Sequence, residues 1–307
     1  MIINTANLKT LFIGFSTKFN EGLEGAKPTY KTITMMAPSG TAEEEYAWLG
    51  AFSKMREWVG DRHINNLALH NFTIKNLKFE DTISIPREKI EDDRFGVFAP
   101  VAAEMGRAAA LHPDEMVYSL LARGFTEKCY DGQNFFDTDH PSSLNEGNGP
   151  IVSCSNYQEG AGAPWFLIDA SRAIKPMIWQ ERIPYKFTSL TDDNDQNVFL
   201  KDVYLYGIRA RGNAGYGLWQ LAYASKADLT VENYEAARAA MRGLKGENGK
   251  PLGIVPTHLI VPTALEGKGR RVVSSGLRTV GEETPVAVTN EWAGSAELIV
   301  SEHLANS

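Results

Sequence analysis

The densest grouping of residues able to do chemistry is the string DGQNFFDTDHP at 131–141, where Asp137, Asp139 and His140 offer two carboxylates and an imidazole within four positions. Oxygen and nitrogen donors so placed suit a divalent metal, and a metal with an open position activates water for hydrolysis. The string lacks a second histidine close by, and aspartates in such company also hold turns through backbone hydrogen bonds. A structural loop is the expectation, and a metal-dependent hydrolase using Asp137, Asp139 and His140 is the alternative from another class.

Other motifs fail on spacing. GLKGENGK at 243–250 places five residues between its outer glycines and Pro251 after the lysine, whereas a phosphate loop needs four and then Ser or Thr. Asp192, Asp193, Asn194 and Asp195 lack the glycine and distal glutamate of a calcium loop. The histidines, His63, His70, His112, His140, His258 and His303, are scattered, and no G-x-S-x-G elbow occurs. Cys129 and Cys154 read as free, partly buried thiols. No catalytic residue, cofactor or metal is expected.

Composition narrows the class further. Of 307 residues, 43% are hydrophobic and 22% charged, the balance of an ordinary folded protein. A net charge of −7 without a dense Lys/Arg run argues against gripping duplex DNA, which relies on cations neutralising phosphates. Two cysteines and no leader-like start argue against export, so a reducing cytoplasm is expected. No apolar run reaches the roughly 18 residues that span a bilayer.

The elements that would hold these residues can be read from periodicity. Leu8, Leu11, Phe12, Phe15 and Phe19 recur at three- and four-residue steps, predicting an amphipathic helix, and Gly22, Gly25 and Pro28 tether it flexibly to the next segment. Its apolar face needs a partner, expected on a neighbouring copy. Tyr30, Thr32 and Thr34 predict a short strand before Pro38-Ser39-Gly40. Apolar alternation from Phe72 to Ile85, switching parity at Lys75-Asn76, predicts a long ribbon with a bulge or bend.

Pro100 opens a helix carrying Val101 and Met105, Pro113 interrupts or kinks it, and its second part stops near Gly124. Residues 131–163 read as an extended loop region. Strands are predicted at 165–168, 174–179 and 203–211, with a polar turn at 191–197. Thr230 caps a helix whose staple is Leu229 with Tyr234 and which ends at Gly243. A strand at 257–261, a helix opened by a Thr263 to Glu266 capping box, and a last strand at 296–300 complete an α+β chain.

Arg56, Glu57, Trp58, Asp61 and Arg62 set an aromatic among charges of both signs on a segment with no evident core role, the make-up of an interface. Contact with other copies is therefore expected there, on the helix residues Leu8, Leu11, Phe12, Phe15 and Phe19, and along the ribbon at Phe72, Ile74, Leu77 and Phe79.

Three strings, EEEYAWLGAFSKMREWVGDR at 43–62, NFTIKNLKFEDTISIPREKIEDDRFG at 71–96 and CYDGQNFFDTDHP at 129–141, resemble the Mu-like bacteriophage major head (major capsid) protein family. THLIVPTALEGKGRRVVSSG at 257–276 is similar to a segment common among tailed-phage head proteins. The likeness runs nearly end to end. It implies the Hong Kong 97-like capsid fold, with an N-terminal arm at 1–27, a segment leading into the peripheral domain at 28–54 and an extended loop at 55–86. The peripheral domain with its spine helix would come next at 87–128, a mostly axial domain at 129–290 with strands returning to the peripheral sheet, and a C-terminal strand and tail at 291–307.

The resemblance implies a shell subunit whose partners are itself, in pentamers and hexamers, a separate scaffold protein during assembly, a portal at one vertex, optionally a decoration protein, and packaged DNA enclosed without sequence-specific binding. The virion capsid, assembled in the bacterial cytoplasm, is the implied location, with no membrane. An encapsulin-like cargo shell is the alternative with the same fold. The segment at 165–184 resembles one that usually comes after the 259–266 and 296–300 strings. A rewired chain is thus expected, its C-terminus near residues 160–164.

Overall fold

The computed structural model describes residues 5–47, 49, 72–92, 96–143, 151–246, 251–280 and 286–304. The chain begins with helix α1 (Thr5–Gly25), a single helical turn α2 (Tyr30–Ile33), strand β1 (Thr34–Pro38) and the short strands β2 (Glu43–Glu45) and β3 (Thr73–Lys75). Strand β4 (Leu77–Pro86), helix α3 (Arg87–Asp92) and the long helix α4 (Ala99–Ala122) come after them. The predicted strand at Tyr30 is corrected: Asp114 of α4 accepts the backbone N–H groups of Thr29 and Tyr30, which curls the chain into α2 before β1 starts. Pro113 lies inside α4 without ending it.

β4 joins β9 (Met177–Leu190) and β10 (Val203–Tyr216) in a four-stranded sheet of order β1-β9-β10-β4. Helix α5 (Gln196–Lys201) caps the hairpin between β9 and β10. Helices α1 and α4 lie against each other and cover one face of this sheet, where Phe15, Phe19, Met105, Phe187, Tyr206 and Ile208 share a core. The helices meet at two glycines: a Cβ on Gly22 would collide with the Ala103 carbonyl, and one on Gly106 with that of Phe19.

The second layer is a five-stranded sheet, β15-β12-β8-β11-β7. It is built from β7 (Tyr157–Gln158), β8 (Trp165–Ile168), β11 (Ala222–Ser225), β12 (His258–Pro262) and β15 (Glu297–Ser301). Every residue of β8 and β11 is buried, as expected for strands covered on both faces. Helices α6 (Val231–Gly243) and α7 (Glu266–Val273) contribute to the core on one side, and the C-terminal half of α4 to that on the other. Thr230 does cap α6, accepting the Asn233 N–H. The capping box expected at Thr263 does not form: Thr263–Leu265 is a 3-10 turn, and Glu266 pairs with Arg270 at 2.7 Å instead of reaching back.

Hairpins β5 (His140–Ser143) with β6 (Ile151–Cys154) and β13 (Leu277–Val280) with β14 (Val286–Thr289) complete the chain. Ser307, expected near residues 160–164, lies outside the described residues. Ser301 ends β15 at the edge of the sheet where Trp165 starts β8, with β12 between them.

Candidate functional site

Asp137, Asp139 and His140 do not converge. The Asp137 carboxylate accepts the N–H groups of Asn134 and Thr138, and Asp139 is exposed. His140 turns inward to Asp131, its Nδ1 lying 2.8 Å from Oδ2, while the Cys129 thiol donates to Oδ1 at 3.0 Å. The His140 ring lies flat on Trp219, centroids 3.9 Å apart, and its Nε2 is buried without a partner. The hydrolase trio is thus replaced by Cys129, Asp131 and His140, the group of metal-ligand type found among the described residues.

Its chemistry is that of a clasp. Burial works to raise the Asp131 pKa, but hydrogen bonds from His140 and Cys129 outweigh it and hold the carboxyl below its ordinary value. Burial, with the Asp131 charge second, pushes the Cys129 thiol up, so a thiolate nucleophile or metal ligand is disfavoured. The carboxylate stands between sulfur and imidazole, so His140 cannot take the thiol proton directly. Gln133 N–H also bonds Oδ1, and the arrangement closes the 129–140 loop upon itself.

Of the residues expected to meet other copies, several are consumed inside the chain. Leu11, Phe15 and Phe19 are buried on α4 and the four-stranded sheet, and Leu8 and Phe12 pack beside them half-exposed. Phe19 and Phe12 stack on Phe187 at 5.2 and 5.8 Å, and Phe15 meets Tyr206 edge-on at 5.1 Å. The expectation that this face is buried on a neighbour is corrected for Leu11, Phe15 and Phe19: the glycine crossing lets α1 lie close enough to its own α4 to be covered there. Ile74 is likewise internal, filling the space above Gly215.

Phe72 is half-buried between two cores, Phe79 packs on His112 at 4.2 Å, and Leu77 is exposed. Arg56, Glu57, Trp58, Asp61 and Arg62 lie outside the described residues. Sequence reasoning missed the most exposed large apolar side chain among the described residues, Phe199 on α5 at 80%, and its neighbour Leu200 at 64%. The available signal was two adjacent apolar side chains in an otherwise polar turn.

The chain matches the family described as Mu-like prophage major head subunit gpT over residues 8–304. It is 42% identical to the major capsid protein of Escherichia phage Mu, over 99% of this chain and 100% of that one. It is also 42% identical to the Mu-like prophage FluMu major head subunit of Haemophilus influenzae, over 97% of each. Among solved structures it is similar to the procapsid subunit of bacteriophage JBD30, with TM-score 0.85 and 42% identity over 98% of this chain and 100% of that one. Similarity to the JBD30 capsid subunit is lower, TM-score 0.77 and 30% identity over 99% and 100%. The fold is that of Hong Kong 97-like phage capsid proteins, and, matched along nearly its whole length by structural head subunits, this chain belongs to the Mu-like prophage major head subunit family, the major capsid proteins of Mu-like phages.

Proposed function

We propose that copies of this chain close into an icosahedral shell of pentameric and hexameric rings that encloses packaged double-stranded DNA. The observation that carries this reading is the end-to-end likeness to the JBD30 procapsid subunit. The protein works by surfaces and performs no catalytic step, in keeping with a Cys129–Asp131–His140 group that holds a loop. A scaffold protein, a portal at one vertex and assembly in the host cytoplasm belong to the proposal. So does a decoration protein: one JBD30 capsid similar to this chain, with TM-score 0.75, is decorated with minor capsid protein trimers.

Residues 87–128 would form the peripheral domain with α4 as spine, and residues 129–290 mostly the axial domain with β9 and β10 returning to the peripheral sheet. Trp58 with Arg56, Glu57, Asp61 and Arg62 would contact neighbouring copies from the extended loop at 55–86. Expression alone and with the scaffold protein, followed by electron microscopy, tests the reading. Shells, tubes or rings are the expected result, and compact monomers persisting at high concentration would overturn it.

A further inference from the structure

The four-stranded sheet carries two unlike surfaces that the described residues leave uncovered. At the hairpin tip, Phe199, Leu200 and Leu190 are 80%, 64% and 50% exposed. They are held rigidly. Val198 is buried beneath them, Asp195 caps α5 by accepting the Asn197 N–H at 2.8 Å, Arg87 pairs with Asp193 at 2.9 Å, and the Arg87 N–H bonds the Asp202 carbonyl. An apolar knob fixed in this way loses little conformational entropy on binding. Residues 191–202 around it contain four aspartates and one lysine, so the rim is acidic.

The opposite character lies further down the same strands. Phe79, Ile208, Ala210 and Phe187 point toward the α1–α4 side, so the alternating Lys78, Arg209, Arg211 and Lys186 point to the open face. Register sets Arg209 between Glu80 and Lys186, and Arg211 beside Lys78. Four cations thus face one carboxylate, Glu80, which accepts the Thr82 hydroxyl. Among the described residues none of the four cations forms an ion pair, and Arg211 Nε is buried without a partner. Gly207 lies between Thr82 and Thr188 beside these cations, with the Thr82 side chain closing over it.

Arg209 and Arg211 lie four and six residues along β10 from Leu205 at the tip, about 13–20 Å, too far for a rigid tip to reach its own face. We propose that the acid-rimmed apolar tip of one copy seats on the cationic open face of the same sheet in a second copy. This rests on the shell reading above. The contact is heterologous, tip to face, and such contacts propagate into closed rings. Charge complementarity selects the second copy: the chain itself displays an apolar knob with an acidic rim and, elsewhere, a cationic surface.

The test compares full-length wild type, Phe199→Ser with Leu200→Ser, Lys186→Glu with Arg209→Glu, and a charge-swapped chain carrying Asp192→Lys together with Lys186→Glu and Arg209→Glu. Circular dichroism melting checks folding, and sedimentation with electron microscopy counts shells. Wild-type shells are expected, with at least tenfold fewer from each of the two double variants, restored by the charge swap. Wild type that forms no assemblies with the scaffold protein present would sink the shell reading itself. With wild-type shells in hand, three results would overturn the tip-to-face contact alone. These are a face variant that assembles normally while the tip variant fails, a folded charge-swapped chain that stays unassembled, or face-variant shells of normal yield that lose only nuclease-protected DNA.

Discussion

The two ends of β9 and β10 are made from the same two strands and have opposite fates. From Met177 to Gln180 every residue of β9 is buried, and so are Ala214, Gly215 and Tyr216 opposite them, because cores lie against both sides of the sheet there. Toward Leu190 and Val203 burial alternates, because α1 and α4 cover one side only. Continuous burial marks where the subunit holds itself together, and alternation marks where it keeps a surface in reserve.

The sharpest test of that difference is Trp179→Ala at the doubly covered end. The Trp179 ring packs on Tyr30 at 5.7 Å, and its removal should cost about 3–5 kcal/mol, read as a lowered denaturant midpoint. Asp131→Asn, which weakens the clasp beneath that end, should cost about 1.5–3 kcal/mol in the same assay. At the singly covered end, Gly106→Val forces α1 away from α4; a loss of about 1–3 kcal/mol is expected, together with faster proteolysis within Thr5–Gly25. If proteolysis there is unchanged, α1 is not held by the crossing.

Leu190→Ser, on the open face of the same strand, should move stability by no more than about 0.5 kcal/mol. A larger loss would mean that this end has a core of its own. The smallest effect concerns Glu44 of β2, whose carboxylate reaches back to the turn after β1. Hydrogen bonds from the Ser39 hydroxyl and then the Gly40 and Thr41 N–H groups lower its pKa to about 2. A depressed carboxyl stabilises above its unfolded pKa, near the ordinary 4 to 4.5, and the contribution is lost as pH falls through about 2. NMR titration should find Glu44 ionised at pH 3, and Glu44→Gln should abolish the acid transition of the turn.

Legibility in the sequence followed locality. The α6 cap at Thr230, the parity break at Asn76 and the strands of the hairpin depend on near neighbours and on period, and these were readable. Misread features were decided by distant groups. Tyr30 joins a helical turn because a carboxylate 84 residues away caps it, and His140 is claimed by Asp131, nine residues back, past two nearer aspartates. The stripe Leu11, Phe15, Phe19 announced a buried helix face, but whose surface buried it depended on Gly106, a residue with no hydrophobic signal at all.

The order of strands in the five-stranded sheet also sets a clock. β8 pairs with β12, some 90 residues later, and β12 is flanked on its far side by β15, about 130 residues after β8. At a translation rate of about 5–20 residues per second, the last of these partners emerges roughly 6–26 s after β8. Until β12 emerges, β8 is paired on one edge only, by β11, and β12 in turn waits for β15. A nascent chain therefore cannot complete this sheet before β15 has emerged.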